Sequence, residues 1–162
     1  KLVFGYLRRA YKNGNDMEAR EKMMFAGVMG GMVLNNAGLG YVHSMSHQIG
    51  ALYEEMHGAC NAALLPHVLE FNSVSISEER ILKISEAMGM KATDKQDAIN
   101  KIKYCIQSLC KDIGLPIHLS SIGVDENDLE LLSKNAEKDI SSITNPRRGT
   151  FVDIMNIFKA AM

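Results

Sequence analysis

The chain has 162 residues, 46% of them hydrophobic and 23% charged, a composition of globular rather than disordered sequence. Eighteen basic and nineteen acidic residues leave a net charge of −1, with no basic excess to neutralise a phosphate backbone, which argues against a nucleic-acid binder. The longest apolar stretch, 23–34, is too short and too Gly-rich for a ~20-residue membrane span.

Taken in chain order, the periodicity predicts helices almost throughout. Residues 1–12 place Leu2, Val3, Tyr6, Leu7 and Ala10 on or near one face and stop at Asn13-Gly14, a glycine ending. The next helix starts after Asn15 and runs to about Asn35. Its second half is apolar on nearly every side, the pattern of a buried helix, and Gly27, Gly30 and Gly31 within it imply close approach of another helix. A third helix spans 39–53, and a fourth runs from about 59 to 71, with Pro66 as a kink or a new start. Ser75-x-x-Glu78 and Thr93-x-x-Gln96 have capping-box spacing before helices at about 77–88 and 94–113. Asp125-x-x-Asp128 opens a helix at about 126–140, and Thr150 caps the last one, to Ala161. No strand pattern, repeat or linker stands out. The expectation is an all-α, multi-helix bundle-like domain over 1–162, with seven to nine helices and short connections.

Three of the five histidines fall within fifteen residues: His43, His47 and His57. On a helix, the four-residue spacing puts His43 and His47 on one face, and a chain reversal before His57 would return it towards them. Neutral imidazoles so gathered suit a borderline metal, zinc or iron(II). The spacing alone is equally compatible with a histidine pair that only packs or caps. Among the other candidate donors, His67 follows Pro66 in an apolar run and reads as structural, and His118 reads as a loop or cap residue. Cys60, Cys105 and Cys110 form no Cys-x-x-Cys motif; Cys60 reads as a small buried thiol. With no Cys-rich framework, three cysteines point to a reducing, cytoplasmic setting. Arg147 and Arg148 make too small a basic patch for nucleic acid.

The residues around the histidines carry a resemblance. Gly38-x-Gly40-x-x-His43-x-x-x-His47 is followed by His57-Gly58-x-x-Asn61-Ala62-x-Leu64-Leu65-Pro66-His67. Met88-Gly89, the run Asp112-Ile113-Gly114-Leu115-Pro116, and Asn145-Pro146-Arg147 follow later. The whole closely resembles the iron-dependent (group III) alcohol dehydrogenase family along essentially all of its length. The resemblance implies a C-terminal helical metal-binding domain that works with an N-terminal α/β domain for NAD(P). It implies a divalent cation, typically iron(II), with zinc as the alternative, held in the cleft by one Asp and three His. Two of those ligands map onto His43 and His57. His47 is not a ligand in the family but lies near nicotinamide and substrate, and Leu34 and Leu39 map to the substrate pocket.

The chain also departs from the family pattern. No Asp has a His four residues later, although the family draws its other two ligands from an Asp-x-x-x-His motif on an earlier helix. Gly27-Val28-Met29-Gly30-Gly31 is the nearest thing to a phosphate loop, but no strand precedes it, so no residue is assigned to the nucleotide. The chain therefore reads as beginning inside the helical domain, after the first two ligands.

The implied reaction moves a hydride between a small alcohol and nicotinamide, and the alcohol proton must leave. A histidine, whose ring titrates at about 6.5, can pass a proton at neutral pH, and His47 is the candidate. The implied partners are the alcohol or aldehyde, the nucleotide-binding domain and further copies in a homo-oligomer. On its own, the chain is expected to self-associate through apolar faces at 23–34 and 38–53, to hold metal weakly and to turn over no NAD. The alternative function is a helical interaction module with a Met-rich groove and no catalytic role.

Overall fold

The computed structural model describes residues 1–162 and contains no strand. Eight α-helices follow one another: α1 (Leu2–Lys12), α2 (Met17–Ala37), α3 (Tyr41–Tyr53), α4 (His57–Ser73), α5 (Glu78–Ala87), α6 (Lys95–Asp112), α7 (Leu129–Lys138) and α8 (Phe151–Ala161). Three 3-10 turns, Leu119–Ile122, Glu126–Asp128 and Ile140–Thr144, lie in the connections. The all-α expectation and the helix count both hold.

The apolar faces meet in two clusters. Met45 and Ile49 of α3, Leu64 of α4, Leu132 of α7, and Ile154 and Phe158 of α8 form the larger one. Ile81 of α5 packs with Ile99, Ile102 and Ile106 of α6 in the smaller. Helix α4 serves both, giving Leu64 and Val68 to the first and Ala62 and Leu69 to the second. Pro66 sits inside α4 without ending it. Its missing N–H removes one helical bond, and burial on both sides offsets that loss.

Local chemistry sets the helix ends. Asp16 starts α2 by accepting from the Ala19 backbone N–H at 3.0 Å. Thr150 begins α8 with a reciprocal capping box: its hydroxyl accepts from Asp153 N–H, and the Asp153 carboxylate accepts from Thr150 N–H at 2.7 Å. Thr150→Ala should therefore cost about 1 kcal/mol, read as a lower urea midpoint at unchanged m-value.

Two of the expected capping boxes are shifted in register. Ser77, not Ser75, occupies the N-cap of α5, and it makes no side-chain cap bond. Asp94, not Thr93, caps α6, accepting from Asp97 N–H at 2.9 Å. Asp125 caps only a 3-10 turn, accepting from Asn127 N–H at 2.8 Å, and α7 itself begins at Leu129.

Helix α2 also corrects the sequence reading. Ala19 is its only buried residue. Met24 is 74% exposed, and Phe25, Val28, Met29, Met32 and Val33 are exposed as well. The helix packs against α1, and most of its second half stays exposed. No atom lies within 4 Å of a Cβ built on Gly27, Gly30 or Gly31, so the expected close helix approach is absent from this chain. The 38–53 region departs from the expected exposed face in the other direction: Tyr41, Ser44, Met45, Ser46 and Ile49 of α3 are buried.

Candidate metal and substrate site

Helix α3 is aimed by the turn before it. Gly38 has φ +75°, and a Cβ there would come within 2.6 Å of Thr144 Oγ1. A Cβ on Gly40 would meet Asn145 Oδ1 at 2.8 Å. Both glycines allow the chain to lie close against the segment that ends the Ile140–Thr144 turn. Thr144 Oγ1 donates to Leu39 O at 2.5 Å, and Asn145 Oδ1 accepts from Tyr41 N–H at 3.1 Å. The start of α3 is thus tied to a segment about a hundred residues away.

His43 and His47 stand one turn apart on α3. Glu54, in the left-handed region at φ 55°, then turns the chain, and His57 opens α4. The His43 and His57 ring centroids are 5.2 Å apart, His47 and His57 are 5.3 Å apart and stacked, and His43 and His47 are 6.1 Å apart. The sequence placed these three rings in one space, and the structure puts them there. Burial lowers the pKa of His43, and the neighbouring His57 and His47 lower it further. Its imidazole is therefore neutral at neutral pH, the form that can donate a lone pair to a cation.

The hydrogen bonds assign the His57 nitrogens. Ser46 Oγ donates to His43 O at 3.1 Å, so its lone pair faces His57 Nδ1 at 3.4 Å as an acceptor. Nδ1 then carries the proton, and Nε2 has a free lone pair, which accepts from Asn61 Nδ2 at 2.9 Å. Asn61 Oδ1 is buried without a partner, an orphaned polar atom beside the histidines. Asn61 comes one helical turn after His57, so the spacing already allowed the contact.

His47 faces a different partner. Its Nδ1 lies 3.0 Å from Asp139 Oδ2, which also accepts from Gln48 Nε2 at 3.2 Å. Burial alone would raise the Asp139 carboxyl. Hydrogen bonds from the Ser141 backbone and His47 outweigh that and hold it below its ordinary value.

An open cavity of about 610 Å3 begins beside these rings, lined by His43, Asn61, Leu34, Leu39, Val42 and Leu65 among others. Leu34 and Leu39, named from the sequence, both lie in its wall. His47 and His57 do not line it. The other residues weighed from the sequence fall outside the cluster. Cys60 and Cys110 are buried thiols, with their pKa values raised by burial, and Cys105 is half-buried. His67 Nε2 is buried without a partner, and burial lowers its pKa. His118 is the N-cap residue of the Leu119–Ile122 turn.

No group of three His, Cys, Asp or Glu side chains in the chain is arranged around one point to hold a metal ion. His43, kept neutral, and His57, with its Nε2 lone pair free of a proton, fit two positions of a borderline-metal site. A tetrahedral site needs four donors. Asparagine and asparagine–backbone contacts shape the surroundings: Asn145 and Asn72 exchange amide hydrogen bonds at 2.7 and 3.1 Å, and Asn145 Nδ2 also donates to Arg147 O at 2.7 Å. The sequence names Asn145 only within the Asn145-Pro146-Arg147 motif, and nothing in it singles out Asp139.

Comparison with known proteins places the chain. The family model for the C-terminal part of the Fe-containing alcohol dehydrogenase family matches residues 1–162. The 1,3-propanediol dehydrogenase of Klebsiella pneumoniae is 42% identical over 99% of this chain and 42% of its own length. The NAD-dependent methanol dehydrogenase of Bacillus methanolicus is 41% identical over the full chain and 43% of its own length. A crystal structure of 1,3-propanediol oxidoreductase superposes with a TM-score of 0.94 at 42% identity, over 99% of this chain and 42% of the other. The chain thus spans well under half the length of the relatives it matches. It belongs to the iron-containing alcohol dehydrogenase family and corresponds to that family's C-terminal, all-helical region.

Proposed function

We infer that the intact protein is an NAD(P)-dependent alcohol dehydrogenase that interconverts a small alcohol and its aldehyde or ketone. Residues 1–162 serve in it as one helical, metal-binding domain. The observation that carries this is the gathering of His43, His47 and His57 within 6.1 Å beside an apolar cavity, in a chain that matches the family throughout. His43 and His57 would hold iron(II), or zinc in the same position, and the N-terminal domain of the intact protein would supply the remaining ligands and the nucleotide site. When bound, the metal would supply Lewis acidity at the alcohol oxygen and a nicotinamide would supply the hydride acceptor.

This chain's own residues do the rest. Leu34 and Leu39 form an apolar wall for the alcohol's carbon chain and keep water from it. His43 and His57 would present ring nitrogens to the metal, and burial keeps the His43 ring neutral. His47, beside the cavity rather than in its wall, relays the alcohol proton to solvent, which balances the loss of hydride from carbon. The relatives are named for propanediol and methanol, and an E. coli lactaldehyde reductase is 34% identical. Those names favour a short substrate. The net charge of −1 favours neither nucleic acid nor an anionic membrane, and no helix is long and apolar enough to cross a bilayer. The intact protein acts in the cytoplasm as a homo-oligomer, with the exposed face of α2 covered by the rest of the assembly.

The test is nicotinamide reduction by the intact protein loaded with iron(II), or with zinc, and offered short alcohols with NAD+ or NADP+. Metal-dependent formation of the reduced nicotinamide is expected. No reduction with any alcohol, with both metals and both nucleotides, would overturn the reading.

A further inference from the structure

Beyond the three histidines, one half-buried carboxylate has both of its oxygens engaged. Asp139 lies where α7 ends and the Ile140–Thr144 turn begins. One oxygen, Oδ1, accepts from the Ser141 backbone N–H at 2.8 Å and caps that turn. The other, Oδ2, receives His47 Nδ1 at 3.0 Å and Gln48 Nε2 at 3.2 Å. The Asp139 side chain is 15% exposed and that of His47 is 39% exposed. Gln48 is itself anchored, since its Nε2 also donates to Ser44 O at 3.1 Å. The carboxylate therefore cannot turn without breaking bonds to two segments at once.

An ionised carboxylate only accepts hydrogen bonds. At 3.0 Å from Oδ2, His47 Nδ1 must therefore carry a proton, and in the neutral ring Nε2 is then the free base. A histidine whose protonated nitrogen is held by a carboxylate has its tautomer and its ring orientation set together. We propose that Asp139 is the positioning residue of this site, fixing the His47 ring in the Nδ1–H tautomer so that Nε2 is the nitrogen that takes the alcohol proton. The catalytic half of this statement rests on the function inferred above; the tautomer half rests only on the geometry.

Asp139→Asn separates this role from simple capping. Asparagine is as good an N-cap as aspartate, so its amide oxygen keeps the Ser141 N–H. Its NH2 group then replaces Oδ2 and donates to His47 Nδ1. That requires Nδ1 to be unprotonated and moves the ring proton to Nε2. Gln48 Nε2 keeps its bond to Ser44 O and gives up the one to Oδ2.

The experiment is nitrogen NMR of the intact, metal-free protein labelled with 15N at histidine, with His47 assigned from the signal lost in His47→Gln. The wild type is expected to show the Nδ1–H pattern for His47. Asp139→Asn is expected to show the Nε2–H pattern, with the His43 and His57 signals unchanged. Asp139→Ser, which keeps a cap but offers no carboxylate, should lose the Nδ1–H preference if the first variant folds poorly. In turnover by the metal-loaded protein, Asp139→Asn should lower kcat by about a hundredfold or more and leave KM for the alcohol unchanged. An unaltered His47 pattern in both variants would overturn the positioning role. A switched tautomer with unchanged kcat would instead overturn the use of His47 as the proton route while leaving the pairing intact.

Discussion

Asn145→Ala should destabilise the protein by about 3 kcal/mol, since several buried polar groups lose their partners together. Asn145 Oδ1 accepts from Tyr41 N–H and from Asn72 Nδ2, and Asn145 Nδ2 donates to Asn72 Oδ1 and Arg147 O. Asn72 is 8% exposed, so water does not readily replace what it loses. The same substitution releases the first backbone N–H of α3, the helix that carries His43 and His47. Loss of stability should therefore come with a disordered His cluster, visible as merged histidine ring signals. A drop in the urea midpoint equivalent to less than about 1 kcal/mol, the worth of one ordinary hydrogen bond, would mean that the amide pair is not the tie described.

Phe158→Ala should cost more, about 3–5 kcal/mol. Phe158 is fully buried in the cluster it shares with Met45, Ile49, Leu64 and Leu132. The cluster joins four helices that run from opposite parts of the chain, so it closes poorly around a lost ring. Val152 lies on the outer side of the same helix and is 59% exposed. Val152→Ala should stay within about 0.5 kcal/mol. Equal losses at the two positions would show that α8 does not pack by the face assigned to it.

Much of this architecture is legible in the sequence because it is local. The four-residue spacing of His43 and His47, the reversal before His57, and the Thr150 start of α8 each depend on residues within a turn or two, and each stands where the pattern puts it. The capping spacings at Ser75 and Thr93 fail for a related reason. Several polar residues sit side by side there, and spacing alone does not choose among Ser75 and Ser77, or Thr93 and Asp94. Helix α2 shows a different boundary. An apolar surface on every side says that a helix is made to be covered, but not that its cover belongs to the same chain. The pairings of Asp139 and Asn145 are out of reach of the sequence. The two residues meet His47 and Tyr41 across sequence separations of 92 and 104 residues, and no local period encodes such a pairing.

In the function proposed above, His43 and His57 hold the metal and His47 takes the proton. Metal content and steady-state turnover of the intact protein carrying His43→Ala, His57→Ala or His47→Ala test it most directly. His43→Ala and His57→Ala should lose the tightly bound metal and turnover together. His47→Ala should keep a full complement of metal while kcat falls by about 10²–10⁴. Loss of the metal from His47→Ala as complete as that from His43→Ala would instead make His47 a ligand.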